Sequence, residues 1–279
     1  MKKILLIIFF TLLCGCSNTK TTMNELNKNY YCNVLISKEN KDNIEKLSKE
    51  KYFICNNLDK YLNMMLLNDT STFDVIRLVN SGTYRNYYEK MIKTDVSKDY
   101  LMLINKYYYL TSDYEPNDLE TISSKYNMGR NNKLRHEARI KFESMCEKAS
   151  EDGYIIYNSS AYRSYSSQEK IYNSYVSVDG SFLADTYSAR PGNSEHQSGL
   201  TVDVNIINDS FANTLEYDWL TENAYKYGFI LRYPKDSEKL TGYTYEPWHY
   251  RYVGEKAAKT IREEDITFDE YYAYYVENN

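Results

Sequence analysis

The chain has 279 residues, of which 42% are hydrophobic and 26% are charged, and its formal net charge is -5. This length accommodates one domain of good size with a smaller region beside it, and the hydrophobic content suffices for a packed core. The lack of a basic excess argues against a nucleic-acid-binding protein. Tyrosine is frequent, at 32 residues against 9 phenylalanines. A general compositional drift explains this better than a tyrosine-lined binding groove.

The first residues have the features of a secretory signal. Lys2 and Lys3 precede an apolar run over residues 4–13, which is too short to span a membrane. The run ends in the letters LCGC, which resemble the lipobox of bacterial lipoproteins, and this resemblance implies that Cys16 becomes the lipid-modified N-terminus. We therefore expect residues 1–16 to be a lipoprotein signal peptide and the protein to be extracytoplasmic and lipid-anchored. A plain cleaved signal is the alternative.

The next two segments carry no recognisable chemistry. Residues 17–30 are polar and unpatterned, which is typical of a tether. Residues 31–125 contain two apolar repeats with helical spacing, one from Leu58 and one after Ser71, which predict helices. An apolar, aromatic run over residues 100–110 favours a strand. We interpret residues 31–125 as a small α-rich N-terminal subdomain.

Residues 126–279 are patterned more regularly and are expected to form the main domain. We expect the protein to be a monomer. Because strands and helices mix there without regular βαβ repeats, the fold class is α+β, a small antiparallel sheet with flanking helices. The predicted helices cover residues 134–149, a segment starting at the capping-box letters SSQE of 166–169 with Gly180 beyond its end, residues 215–227, and a closing segment through 257 and 261. The predicted strands cover residues 154–157, 200–206, 229–233 and 248–253.

Three cysteines remain after the signal, and an odd number does not describe a disulfide framework. Cys146 lies on an apolar helix face and is expected to be a small buried hydrophobic residue. A bond between Cys32 and Cys55 stays open. None of the three has the setting of a metal ligand or a nucleophile.

Two of the three histidines lie in informative places. Alternation along residues 200–206 turns Asp203 away from the apolar face, and alternation along 248–253 does the same for His249. His196 lies in a glycine-bordered loop just before the first of these strands. Two imidazoles and one carboxylate with an open fourth position are the ligand set of a catalytic zinc site.

Glu246 precedes His249 by three residues and is placed to act as a base. Zinc lowers the pKa of water towards neutrality, and a carboxylate can then accept the proton. Each residue alone is more often structural, but the combination in a histidine-poor chain favours function. The same donors suit non-haem iron. The seven-residue spacing between His196 and Asp203 and an exported location argue against iron.

Two motifs resemble those of a known family. The letters SEHQSGLTVD over 194–203 and EPWHYRYV over 246–253 are similar to the D-alanyl-D-alanine carboxypeptidases of the vancomycin-resistance type. These belong to the wider group of lysostaphin-, carboxypeptidase- and hedgehog-like zinc folds. The resemblance runs from about Leu134 to the C-terminus, and more loosely back to about Leu58. Thr201 stands where members often carry alanine.

The resemblance implies one zinc ion on His196, Asp203 and His249, with Glu246 as catalytic base. The letters SAYRSYSSQ over 160–168 match the family's substrate clamp. By that match Arg163 would hold the terminal carboxylate of the peptide, because a guanidinium pairs with a carboxylate through two parallel hydrogen bonds. The residues expected to assist Arg163 or to line the site are Gln168, Ser194 and Trp248. Each residue also has a structural alternative. Arg163 could be a surface residue, Gln168 a residue at the start of a helix, Ser194 a cap of the loop, and Trp248 a part of the core.

The function implied is removal of the C-terminal D-Ala from peptidoglycan stem peptides. A D,D-carboxypeptidase acting on the pentapeptide is our first interpretation, and an L,D-carboxypeptidase acting on the tetrapeptide is the alternative. A lipid-anchored wall-binding protein without catalysis is the competing class. Glu246 argues against it, since a binding protein has no need of that base.

Overall fold

The computed structural model describes residues 41–67 and 70–277. The predicted signal peptide, the tether, Cys16 and the Cys32–Cys55 pair therefore lie wholly or partly outside the described residues. Within them Cys55 and Cys146 are free, and Cys146 is buried as predicted. No helix in the described ranges is long and apolar enough to cross a membrane. The predicted domain boundaries stay predictions.

In the described residues, the α-helices of the N-terminal region are α1 (Lys41–Ser48), α2 (Leu58–Leu67) and α3 (Thr72–Asn80). The two predicted helices are thus confirmed as α2 and α3. Ser71 caps α3, since its side-chain Oγ accepts a hydrogen bond from the backbone N–H of Asp74 at 3.1 Å. Apolar faces of the helices meet in a core of their own, formed by Ile44, Leu47, Phe53, Leu58, Tyr61, Val75, Ile76 and Val79.

The strand predicted over residues 100–110 is wrong. A 3-10 helix covers Val96–Leu101, and only Tyr108–Tyr109 is extended. The side-chain Oδ1 of Asn105 accepts hydrogen bonds from the backbone N–H groups of Tyr107 and Tyr108 at 2.8 and 3.0 Å. This local turn competes with a strand. The short strands of this region are β1 (Ile92–Lys93), parallel to β2 (Tyr108–Tyr109), and β3 (Leu119–Thr121), antiparallel to β4 (Lys133–Arg135).

The first helix of the main domain is α4 (His136–Glu151). Its buried stripe matches the prediction except that Leu134 belongs to β4. The strand predicted over 154–157 is wrong in position, because β5 is Asn158–Ser160. A side chain takes the place of a strand partner there, since Nδ2 of Asn205 donates to the carbonyl oxygen of Ile155 at 2.7 Å.

The long helix α5 covers Tyr165–Tyr187. Its N-cap is Ser164, whose Oγ accepts from the backbone N–H of Ser167 at 3.3 Å, so the predicted start at Ser166 is two residues late. The first helical segment of α5 ends at Gly180, as predicted, because its φ of 75° and ψ of 160° are not helical. Glycine adopts this conformation without strain, and a second helical segment follows up to Tyr187.

A four-stranded antiparallel sheet carries the site, in the order β5-β6-β8-β7. Its remaining strands are β6 (Thr201–Val204), β7 (Phe229–Leu231) and β8 (His249–Tyr252). One face of the sheet packs with α4 in the largest apolar core. The flanking helices are α6 (Leu215–Asn223), α7 (Glu238–Thr241), α8 (Glu255–Glu264) and α9 (Phe268–Tyr271), which continues into a π-helix over Tyr272–Val276. The predicted α+β fold, with a small antiparallel sheet and a helical N-terminal region, is confirmed.

Candidate metal centre

Strand pairing brings two of the predicted ligands together. Asp203 on β6 lies directly opposite His249 on β8, so both side chains leave the same face of the sheet. His196 lies in the 3-10 turn Glu195–Ser198, which ends at Gly199 with φ 67° just before β6. All three residues are buried, and each offers a ligand atom within 4.8 Å of the others.

The donor atoms converge on one point. The carboxylate of Asp203 lies between the two imidazoles, with Oδ2 3.3 Å from His196 Nε2 and Oδ1 3.3 Å from His249 Nδ1. The imidazole rings stand 5.2 Å apart at 82°. Oδ1 of Asp203 is buried and makes no hydrogen bond to any described residue. Buried polar atoms that face one another without hydrogen bonding fit a bound cation better than a mutual contact.

The contacts of each imidazole ring show which of its two nitrogens is free to bind a metal. Nδ1 of His196 lies 2.7 Å from the carbonyl oxygen of Ala161. A carbonyl only accepts, so Nδ1 carries the proton and Nε2 is left for the metal. In His249 the nitrogen that faces the metal site is Nδ1 rather than Nε2, because Nδ1 faces Asp203 and also lies 3.2 Å from Glu246 Oε2.

The electrostatics of the pocket also favour a cation. Burial raises the pKa of Glu246 above its ordinary value. Burial lowers the pKa of His249, but carboxylates around the ring outweigh burial and leave this pKa well above its ordinary value. These carboxylates belong to Asp203, Glu195 and Glu246. An ion with two positive charges satisfies such a group of acids, and the His-Asp-His donor set has the composition of a catalytic zinc site.

The donor set opens into a cavity of about 650 Å³. Every predicted site residue within the described part of the chain lines this cavity: Arg163, Gln168, Ser194, His196, Asp203, Glu246, Trp248 and His249. Trp248 combines both readings of the sequence, since it lines the cavity and also packs against the main core.

Arg163 is held in place with unused hydrogen-bonding capacity. Its side chain is only 14% exposed, and Nη2 lies 4.0 Å from Asp203 Oδ2. Nη1 donates to Gln168 Oε1 at 2.7 Å, while Nε has no hydrogen-bond partner in the part of the chain that the structure describes. Burial lowers the pKa of the guanidinium, which means that the free protein holds this positive charge at a cost. An anionic ligand in the cavity would offset that cost.

Comparison with known proteins agrees with this geometry. The family model of the D-alanyl-D-alanine carboxypeptidases named VanY matches residues 131–255. The solved LdcB LD-carboxypeptidase is 39% identical, with a TM-score of 0.63, over 67% of this chain and 91% of that chain. A D,D-pentapeptidase VanY from a VanB-type resistance cassette, solved with Zn(II), is 34% identical with a TM-score of 0.53, over 61% and 97% of the two chains.

The chain belongs to the VanY family of D-alanyl-D-alanine carboxypeptidases. Among curated relatives, the putative carboxypeptidase YodJ of Bacillus subtilis is 42% identical over 62% of this chain and 66% of its own. The D-alanyl-D-alanine carboxypeptidase of Enterococcus faecium is 35% identical over 71% of this chain and 65% of its own. The chain therefore spans a little under two thirds of the length of these relatives.

Sequence reasoning missed the groups behind the VanY-type site. Glu195, Arg232 and Arg251 have fully buried side chains, and Tyr233 packs its ring 4.8 Å from that of His249. A signal for Arg251 was present, since alternation puts it on the face of His249. For Arg232 the only signal was a charge inside the apolar letters FILRY.

Proposed function

We propose that this protein is a zinc-dependent carboxypeptidase that releases the C-terminal D-Ala from peptidoglycan stem peptides. One observation carries the proposal: the buried guanidinium of Arg163, whose Nε has no hydrogen-bond partner among the described residues, shares a cavity with the His-Asp-His donor set. A carboxypeptidase needs both a metal centre and an anchor for the free carboxylate of its substrate. An endopeptidase has no use for such an anchor.

Gln168 fixes the orientation of the anchor. It is 1% exposed, accepts from Arg163 through Oε1 and donates through Nε2 to the carbonyl oxygen of Ala189 at 2.7 Å. The second bond determines which end of the amide points at Arg163. The guanidinium is thereby held with Nε available to a carboxylate, and a substrate so bound presents its last peptide bond to the metal centre.

Glu246 is the proton carrier of the proposed reaction. When bound, zinc supplies Lewis-acid activation of water and of the scissile carbonyl, and the relative solved with Zn(II) supports this choice of metal. Glu246 accepts a proton from the attacking water and passes it to the leaving amine. Its carboxylate suits both halves of this transfer, because it can accept a proton from water and return it to the amine.

The penultimate residue of the substrate has two candidates. The curated D-alanyl-D-alanine carboxypeptidases and a VanYB structure in complex with D-Ala-D-Ala favour the D,D reaction on a pentapeptide. The likeness to the LdcB LD-carboxypeptidase favours the L,D reaction on a tetrapeptide as second candidate. Both reactions use the same anchor and the same base.

The test is release of D-Ala from synthetic stem peptides by the zinc-loaded protein. We expect release from the pentapeptide, and the tetrapeptide run in parallel decides between the two candidates. A pentapeptide with a C-terminal amide should react at least about 100-fold more slowly, because it cannot form the charged pair with Arg163. In Arg163→Met this preference for the free acid should collapse. Failure of both peptides with the zinc-loaded wild-type protein refutes the proposal.

The proposal includes a lipid anchor at Cys16 on the outer side of the membrane. Its support is the basic start, the short apolar run and the small residue before Cys16. Cys16→Ala should move the protein from the membrane fraction to the soluble fraction and abolish labelling with a radioactive fatty acid. Unchanged membrane association and labelling would contradict the anchor.

A further inference from the structure

A buried carboxylate lies directly behind the metal ligand His249. The side chain of Glu195 is 0% exposed, and its Oε1 accepts from Arg232 Nε at 2.7 Å and from Arg251 Nη1 at 3.0 Å. Its other oxygen, Oε2, has no hydrogen-bond partner among residues 41–67 and 70–277 and faces His249 Nε2 at 3.6 Å. Within the same residues that nitrogen has no hydrogen-bond partner either. Two unsatisfied buried atoms of complementary type thus point at each other.

The arrangement continues from Glu195 into segments that flank the family match. Arg232 donates through Nη1 to Asp269 Oδ2 at 2.6 Å, and Asn105 Nδ2 donates to Asp269 Oδ1 at 2.8 Å. Asp269 lies in α9, and Asn105 is the residue that makes the turn before β2. Both lie outside residues 131–255, the range that the VanY model matches.

The charges of this chain of contacts cancel. Two carboxylates, Glu195 and Asp269, meet two guanidiniums, Arg232 and Arg251, and all four side chains are 0–1% exposed. Isolated buried charges are costly, but a balanced and hydrogen-bonded set is tolerated. Because Arg232 lies between the two acids, the position of the Glu195 carboxylate depends on Asp269.

We propose that Glu195 positions the metal ligand His249, and that Asp269 supports it through Arg232. A metal-binding histidine commonly donates its second N–H to a carboxylate, which fixes the tautomer and the ring orientation. Here Nε2 of His249 would donate to Glu195 Oε2, leaving Nδ1 to the metal. The inference rests on the proposed zinc site and adds that α9 and Asn105 complete that site.

Zinc affinity of the metal-free protein, measured by competition with a chromogenic chelator, tests this role without any substrate. Glu195→Gln keeps the size of the side chain but removes the charge that orients His249. We expect its zinc dissociation constant to rise about 10- to 100-fold, the usual effect of losing such a partner. Asp269→Asn should raise the constant about 3- to 10-fold, since it acts one contact further away.

Glu270→Gln is the matched control. Glu270 neighbours Asp269 in α9, is also 0% exposed and also binds an arginine, with Arg77 Nε 2.6 Å from its Oε1. It faces the N-terminal helices rather than the metal centre. We expect a lower unfolding temperature but a zinc dissociation constant within about twofold of the wild-type value. A loss equal to that of Glu195→Gln would mean that zinc affinity follows general stability, and would overturn the proposal.

NMR of the zinc-loaded wild-type protein tests the same role without any variant. The chain has three histidines, so long-range proton–nitrogen correlations of the imidazoles can be assigned. We expect a proton on Nε2 of His249 and, in the opposite sense, on Nδ1 of His196.

The outcomes separate the two proposals. A wild-type protein that binds no zinc refutes the proposed function. If it binds zinc, a proton on Nδ1 of His249 overturns the role of Glu195, as does unchanged affinity in both Glu195→Gln and Asp269→Asn. If Glu195→Gln shows no cooperative unfolding transition, Asp269→Asn and the NMR spectrum decide.

Discussion

The N-terminal helices and the four-stranded sheet bury side chains equally well but bury different kinds. The interior of α1, α2 and α3 is made mainly of aliphatic and aromatic groups, whose burial stabilises the fold, and the hydroxyl of Tyr61 donates to Asn80 Oδ1 there. The face of the sheet at the metal centre buries imidazoles, carboxylates and guanidiniums, each of which is costly unless it is paired or bound to a metal. The first interior therefore contributes stability and the second contributes chemistry, while the largest apolar core lies between the sheet and α4.

The largest expected effect is on catalysis, from Glu246→Ala. Loss of the base should lower kcat about 10²- to 10⁴-fold. Bound zinc should remain at one ion per chain, because His196, Asp203 and His249 are intact. D-Ala release and metal analysis on the same sample check both halves. Full turnover in this variant would remove Glu246 from the mechanism.

Leu47→Ala tests whether the apolar N-terminal core contributes to stability and not to catalysis. Leu47 is fully buried in the N-terminal core, so its truncation should lower the free energy of unfolding by about 2–5 kcal/mol. We expect kcat/KM well below the unfolding temperature to stay at the wild-type value. Leu66→Ala is the control, because Leu66 is 76% exposed and should change stability by less than about 0.5 kcal/mol. A large fall in kcat/KM for Leu47→Ala would show that the two regions are not separable.

The smallest expected effect is at the contact between the two regions. Arg77 on α3 binds Glu270 on α9 through Nε at 2.6 Å and Nη2 at 3.2 Å. Arg77→Met leaves a buried carboxylate with fewer partners, and we expect a loss of about 1–2 kcal/mol in the free energy of unfolding. Lys49→Met removes the exposed pair with Glu45 and should cost less than about 0.5 kcal/mol. Equal losses in chemical denaturation would mean that burial of Glu270 adds nothing.

What the sequence predicted follows from which features are local. Alternation placed Asp203 and His249 correctly, since side chains in a strand alternate whatever the fold around them. Helix α3 was predictable because Ser71 and Gly82 mark its limits. The run over 100–110 failed because its apolar side chains are buried from several directions at once, while Asn105 turns the backbone locally. The spacing of apolar residues in the sequence does not reveal such an arrangement.

The support behind the ligands could not be predicted from the sequence. The contacts of Glu195 with Arg232 and of Arg232 with Asp269 each span 37 residues. The sequence pattern of each segment does not indicate which residue it contacts. From the sequence alone, a single arginine in an apolar strand suggests a residue at the edge of a sheet. Only the folded sheet, with α9 packed behind it, shows that these charges meet.

The direct pairing of Asp203 with His249 makes the register of the sheet a part of the metal site. A slip of one residue between β6 and β8 would turn a ligand to the opposite face. We therefore expect an insertion or deletion within either strand to disrupt the metal site. The 45 residues between the two ligands cross α6, β7 and α7, and their loops can change in length without moving either ligand. We expect differences in length between related chains to be most frequent in those loops. The same loops also form part of the cavity rim.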